Sequence, residues 1–273
     1  MHLKRILSAL VALPCLYLLI AKGGPFWFSV LISVASIIAL SEYYYITLHK
    51  TGVSVFAPIP LVGFLVSQAM IYCAFRYPGR FDIIFGLVVF DFIIATMIAL
   101  KSYSSDSPVL DVVAKQIQGV VYIPVLLSTL VLLRGHADDG IAWVFFILVL
   151  VAFCDTGAFY AGTYFGKHKL CPKVSPGKTI EGFMGGLALT LIGGLVIRHF
   201  FFPEINLAIT TVFLVTMSII GPFGDLFESA LKRTGGVKDS GSIIPGHGGI
   251  LDRIDALLFV SPVAYVFKTW FLG

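Results

Sequence analysis

The stretch IAWVFFILVLVAFCDTGAFYAGT, residues 141–163, runs through fourteen apolar positions before it meets an aspartate. A bilayer core of about 30 Å is crossed by a helix of about 20 mostly apolar residues. A helix that is apolar around its whole circumference has no solvated face, so this segment reads as membrane-spanning. The rest of the chain agrees. Of its 273 residues, 58% are hydrophobic and 12% charged, against about 45–50% and about 25% in soluble domains. Working outward in both directions, spans are expected at 5–21, 26–41, 55–75, 82–100, 117–133, 180–201, 206–228 and 254–271. The expected fold is therefore all-α: a polytopic integral membrane protein with about nine transmembrane helices, forming one membrane-embedded domain over 1–273. The N-terminal run MHLKRILSALVALPCLYLLIAKGG has a basic start and an apolar centre but no A-x-A cleavage site, so it is read as a retained first helix. Pro124 and Pro262 fall inside spans, where neighbouring helices can accommodate them.

Orientation follows from Lys and Arg. With the N-terminus cytoplasmic, thirteen of the 19 lie on that side and six on the other, which predicts N-in and C-out. Eight of the thirteen sit in two loops, 164–179 and 229–253, which are also rich in Gly, Ser and Asp. Residues 1–150 thus read as scaffold helices and 151–273 as the catalytic portion. Cys15, Cys73, Cys154 and Cys171 occur singly, without metal-ligand spacing.

Four polar stretches stand out. In DTGAFYAGTYFG, 155–166, Asp155 precedes small residues at Ala158, Gly162 and Gly166, a spacing that lets helices approach closely. The glycines are explained by packing alone, but an acid placed in a span points to function. In SPGKTIEG, 175–182, the GKT invites a P-loop reading that fails, because Pro172 occupies the glycine position and no strand is expected before it. What remains is Ser175, Lys178 and Thr179 at a helix start, where anions are favoured; a plain interfacial helix start fits as well. In GDLFESALKR, 224–233, Asp225, Glu228 and Lys232 share one helical face. In KDSGSIIPGHGGILDRIDA, 238–256, Asp252 and Asp255 project from one side of the last span, and Gly246, Gly248 and Gly249 flank His247. Carboxylates beside Lys and Arg suit a hard cation with a polyphosphate, since Mg²⁺ takes one or two carboxylates together with substrate phosphates. Nothing supplies a zinc set or a G-x-S-x-G nucleophile. Phosphoryl or nucleotidyl transfer at a membrane surface is the chemistry these residues indicate.

The pattern Ser229-x-x-Lys232-Arg233-x4-Lys238-Asp239-x-Gly241-x-x-Ile244-Pro245-x-His247-Gly248-Gly249-Ile250-x-Asp252-Arg253-x-Asp255 resembles the signature of the phosphatidate cytidylyltransferases (CDP-diacylglycerol synthases) at every fixed position. The runs at 155–162, 175–182 and 224–229 resemble motifs of the same family, whereas 1–150 carry none. The resemblance implies that CTP and phosphatidate give CDP-diacylglycerol and pyrophosphate with Mg²⁺, a second cation being left open. It implies Asp225 and Asp252 as metal ligands, with Asp155, Glu228 and Asp255 as further candidates. Lys232, Arg233 and Lys238 join the two aspartates as catalytic residues. Ser175, Lys178, Thr179, Ser229, Asp239, His247, Gly248, Gly249 and Arg253 would bind substrate, with His247 and Asp239 the least defined. A bacterial inner-membrane location with the site facing the cytoplasm is expected, and no nucleic-acid partner. A homodimer is expected from the resemblance and from the need to bury Asp91, the acid within LVVFDFIIATM; Glu42, near the end of the second span, could line the site. The alternatives are a CTP-dependent lipid or polyprenol kinase and an ion-coupled transporter. A CDP-alcohol phosphotransferase is disfavoured because no D-G-x-x-A-R follows Asp252. The transporter would spread its acids around the midplane, whereas these acids cluster at helix ends.

Overall fold

A computed structural model of the protein describes residues 14–104, 106–135, 139–243 and 248–271. Among the described residues, eight helices are long and apolar enough to cross a membrane. They are α1 (Gly24–Leu48), α2 (Pro58–Arg76), α3 (Phe81–Lys101), α4 (Val109–Gly135), α5 (Gly140–Phe165), α6 (Ile180–Phe201), α7 (Leu207–Gly235) and α8 (Leu251–Phe271). The expected span 5–21 lies mostly outside the described residues; its end, 14–22, is helical. The protein is an all-α polytopic membrane protein. One departure from the sequence reading is a small antiparallel hairpin, β1 (Lys169–Cys171) and β2 (Ser175–Thr179), just before α6. Its strands are too short to register against an apolar background.

Local chemistry accounts for the helix ends and bends. Pro lies at the first turn of α1 and α2, where its missing N–H is not needed. In α4, Pro124 turns 121–125 into π-helix, the response to a residue that cannot complete the usual ladder. Pro222 inside α7, a third intraspan proline, leaves the Ser218 carbonyl without its usual i+4 donor; Cys154 Sγ approaches that oxygen at 3.9 Å. Thr179 caps α6 by accepting a bond from the Gly182 N–H at 3.1 Å.

The chain packs as two units, Met1–Ala137 with Leu231–Arg253, and Asp138–Ala230 with Ile254–Gly273. The polar segment 231–253 thus groups with the helices that read as scaffold. In the first unit, Tyr43, Tyr44, Leu40, Ile123 and Leu127 are fully buried, and polar pairs join helices. Ser36 and Ser67 hydroxyls meet at 2.8 Å, Tyr43 donates to Gln118 at 2.8 Å, and Gln116 donates to Asp91 at 2.7 Å. Asp91 is fully buried, so it faces the inside of its own bundle and does not require a partner subunit. In the second unit, Trp143, Phe146, Phe202, Phe213 and Phe267 stack into an aromatic core. There α5 and α6 lie backbone to backbone. A Cβ on Gly182 would stand 2.8 Å from the Ala158 carbonyl, and one on Gly186 the same distance from that of Cys154. The small-residue ridge on α5 is therefore a packing surface for α6.

Candidate active site

In the second unit the functional groups converge at the α5–α6 pair and its hairpin. Lys178 on β2 pairs with Asp225 on α7, Nζ to Oδ2, at 2.7 Å. Lys178 also lies 3.5 Å from the Pro222 carbonyl. The other Asp225 oxygen accepts from Ser229 Oγ, one turn on, at 3.3 Å. Asp155 on α5 and Asp255 on α8 both stand within electrostatic reach of Asp225 and of Lys178. Close helix approach permits this: a side chain on Gly224 would overlap the Asp255 carbonyl. A cavity of about 660 Å³ is lined by the polar Asp155, Lys178 and Asp225 and by the apolar Phe159, Leu170 and Phe183. That size falls within the range of small-molecule sites, about 300–1,000 Å³.

Other expected residues of this unit are placed differently. Thr179 borders the cavity but is buried, and its hydroxyl is engaged in capping α6. Glu228 is buried in α7 and does not line the cavity. Ser175 opens β2, paired in register with Cys171. Glu181, which the sequence left without a role, fastens the hairpin by accepting bonds from the Lys167 and His168 backbone N–H groups and pairing with His168 Nδ1.

The first unit holds the second set. Asp252 is enclosed by donors: Lys232 Nζ on Oδ1 at 2.6 Å, and the Ser240 N–H, Gly249 N–H and Ser240 hydroxyl on Oδ2 at 2.9, 2.9 and 3.0 Å. Gly248 has φ +82°, and a Cβ there would lie 2.6 Å from Asp252 Oδ2, so only glycine serves. Arg233, Lys238, Asp239 and Arg253 are exposed. His247 lies outside the described residues, as do Ile244, Pro245 and Gly246.

Glu42, which the sequence offered only as a candidate lining residue, and Ser240, which it did not assign, tie this set together. Glu42 of α1, 5% exposed, accepts bonds from the Ser240 hydroxyl at 2.9 Å, the Ile250 N–H at 3.0 Å and the Leu251 N–H at 2.8 Å. Ser240, buried, touches both Glu42 and Asp252. The one available signal was an acid near the end of a span; its partners are some 200 positions away.

As for a cation, no three His, Cys, Asp or Glu side chains among the described residues converge on one ligating point. The donors beside the cavity are carboxylate oxygens, and Mg²⁺ needs only one or two of these when phosphates complete its shell. The donor chemistry fits.

Residues 3–271 match the model of the family described as the cytidylyltransferase family. A phosphatidate cytidylyltransferase of Staphylococcus haemolyticus is 52% identical over 128 residues, 46% of this chain and 48% of that protein. Those of Bacillus subtilis and Staphylococcus aureus are 43% identical over 148 residues (53% and 54%) and 47% identical over 126 (46% and 48%). In these alignments the chain spans about half the length of the relatives it matches. By the match along nearly its whole length, the chain belongs to the cytidylyltransferase family.

Proposed function

We propose that this protein transfers the cytidylyl group of CTP to phosphatidate, giving CDP-diacylglycerol and pyrophosphate. The observation that carries the reading is the mixed lining of the cavity: Asp155, Lys178 and Asp225 together with Phe159, Leu170 and Phe183, contributed by membrane-spanning helices and by the hairpin beside them. A lipid with an anionic headgroup is the ligand that such a lining suits. The names of the relatives support the same substrate pair.

The mechanism needs no strong base, because the phosphate of phosphatidate is already an oxyanion near neutral pH. One of its oxygens attacks the α-phosphorus of CTP, the bond from that phosphorus to the bridging oxygen breaks, and pyrophosphate leaves. The obstacle is repulsion between two polyanions. Asp225, with Asp155 and Asp255 close by, would hold Mg²⁺, which when bound neutralises charge on the phosphates and on the leaving group. Lys178 keeps Asp225 neutralised before substrates arrive and can turn to a phosphate afterwards. The resemblance would place Lys232, Arg233, Lys238 and Arg253 on phosphates, where they would meet charge that grows during transfer. Asp252 aims Lys232 through their contact at 2.6 Å, and serves as a metal ligand only by releasing some of its donors. The basic hairpin and the 229–253 segment support a cytoplasmic site in a bacterial inner membrane. A homodimer now rests on the resemblance alone, since Asp91 is already buried within the chain and accepts from Gln116.

The test uses purified protein, phosphatidate, Mg²⁺ and CTP labelled at either the α- or the γ-phosphate. Label from the α position is expected in the lipid fraction, and EDTA or Asp252→Asn should remove it. Lipid labelled only from the γ position would show a kinase instead. No lipid label from either would discard the cytidylyltransferase, and repeating the γ-label assay with a diacylglycerol or polyprenol acceptor would then decide the kinase.

A further inference from the structure

Glu42 stands outside every motif of the site, yet it accepts hydrogen bonds from Ser240, Ile250 and Leu251. A helix start leaves its first N–H groups without intrahelical partners. At α8 these groups are met by a carboxylate that arrives from α1: Glu42 Oε1 takes the Ile250 N–H and Oε2 the Leu251 N–H. A negative charge at this end also suits the helix dipole. Room for it is made by glycine, because a Cβ on Gly241 or Gly249 would lie 2.5 Å from a Glu42 carboxylate oxygen. Two glycines in the polar run are thus explained by a residue some 200 positions upstream.

The same carboxylate communicates with Asp252. The Ser240 hydroxyl has one proton and two acceptors, Glu42 Oε2 at 2.9 Å and Asp252 Oδ2 at 3.0 Å. It can serve only one at a time. Asp252 keeps Lys232 and two backbone N–H donors when the hydroxyl turns away, so the bond can move without leaving either acid bare. We propose that Glu42 is a positioning residue for nucleotide binding. It fixes Ser240, Ile250 and Leu251 and, through Ser240, sets the Asp252 carboxylate that aims Lys232. The assignment rests on the reading that Lys232 meets the phosphates of CTP; Glu42 itself touches no substrate.

Glu42→Gln tests this in the full-length protein. The amide puts its N–H₂ against the Ile250 or Leu251 N–H, donor against donor. Amide hydrogen exchange over 238–252 is expected to accelerate by about 10–100-fold, the equivalent of one lost hydrogen bond to a charged group, with α2, α3 and α4 unchanged. The KM for CTP should rise by a similar factor while that for phosphatidate stays constant. Exchange that is unchanged, or faster throughout the protein, overturns the proposal, as does lower activity with both KM values unaltered. If Glu42→Gln does not fold, Ser240→Ala decides by the KM values alone, because it cuts the link to Asp252 and leaves the Ile250 and Leu251 bonds in place. The KM for CTP should then rise with that for phosphatidate constant, and two unaltered KM values overturn the proposal. Should the unsubstituted protein transfer no cytidylyl group, the functional reading fails, while the exchange data still judge the hold of Glu42 on the segment.

Discussion

Asp225→Asn is expected to lower cytidylyl transfer by about 10²–10³-fold, the range seen when one preorganised electrostatic group is removed from an active site. The substitution is isosteric and leaves an oxygen to accept from Ser229. What it changes is charge. The amide nitrogen comes to face Lys178 Nζ, which stands 2.7 Å from Asp225 Oδ2 in the unsubstituted protein, so a lysine loses its counterion and a cation loses a ligand. Thermal stability should change little, since both side chains are partly exposed and such pairs contribute about 0–1 kcal/mol. Raising Mg²⁺ should recover only part of the rate. Retention of more than about a tenth of the activity, a barrier change under about 1.4 kcal/mol, would remove Asp225 from the catalytic set. Asp252→Asn is expected to match the loss by another route. Its amide would oppose the Ser240 N–H, the Gly249 N–H or Lys232, so hydrogen exchange over 238–252 should quicken, which Asp225→Asn should not cause.

Gly185→Leu is expected to abolish folded protein. A Cβ at this position would overlap that of Ala161 and stand 2.8 Å from the Gly157 carbonyl, while carbon atoms in contact normally sit about 3.5–4.0 Å apart. Overpacking in a core costs about 1–3 kcal/mol where side chains can yield. Here one neighbour is backbone, so the loss should reach or exceed the top of that range. Membrane helices also depend on close packing for their association, lacking a hydrophobic drive between them. Separating α5 from α6 would move Asp155 away from the strand that carries Lys178. Gly177→Ala is the matched control, because a Cβ there meets nothing within 4 Å. A melting temperature for Gly185→Leu within a few degrees of the control would show that α5 and α6 can part without damage.

The spans were legible because an apolar run of bilayer length has few other uses: 180–201 coincides with α6, and 141–163 lies one or two residues inside α5. Asp155, Lys178 and Asp225 were legible as polar groups against an apolar ground, and the structure brings them to one cavity. The hairpin was not, since strands of three and five residues carry no periodic signal. Nor was the capping duty of Thr179, whose hydroxyl accepts a bond at the α6 N-terminus while the residue borders the cavity. Glu42 shows the deeper limit. Its importance lies in donors from Ser240, Ile250 and Leu251, and no local spacing links position 42 to those.

That long link bears on the order in which the protein can be made. Synthesis delivers α1 early, with a carboxylate that has nothing to hold, and some 200 residues must follow before its partners emerge. Loop closure over such a separation is slow and comes late. The nascent last helix therefore enters a bundle in which its N-terminal anchor is already waiting. A chain cut before residue 139 and expressed as the C-terminal piece alone would contain nearly every motif of the family and still lack the group that fastens its final helix.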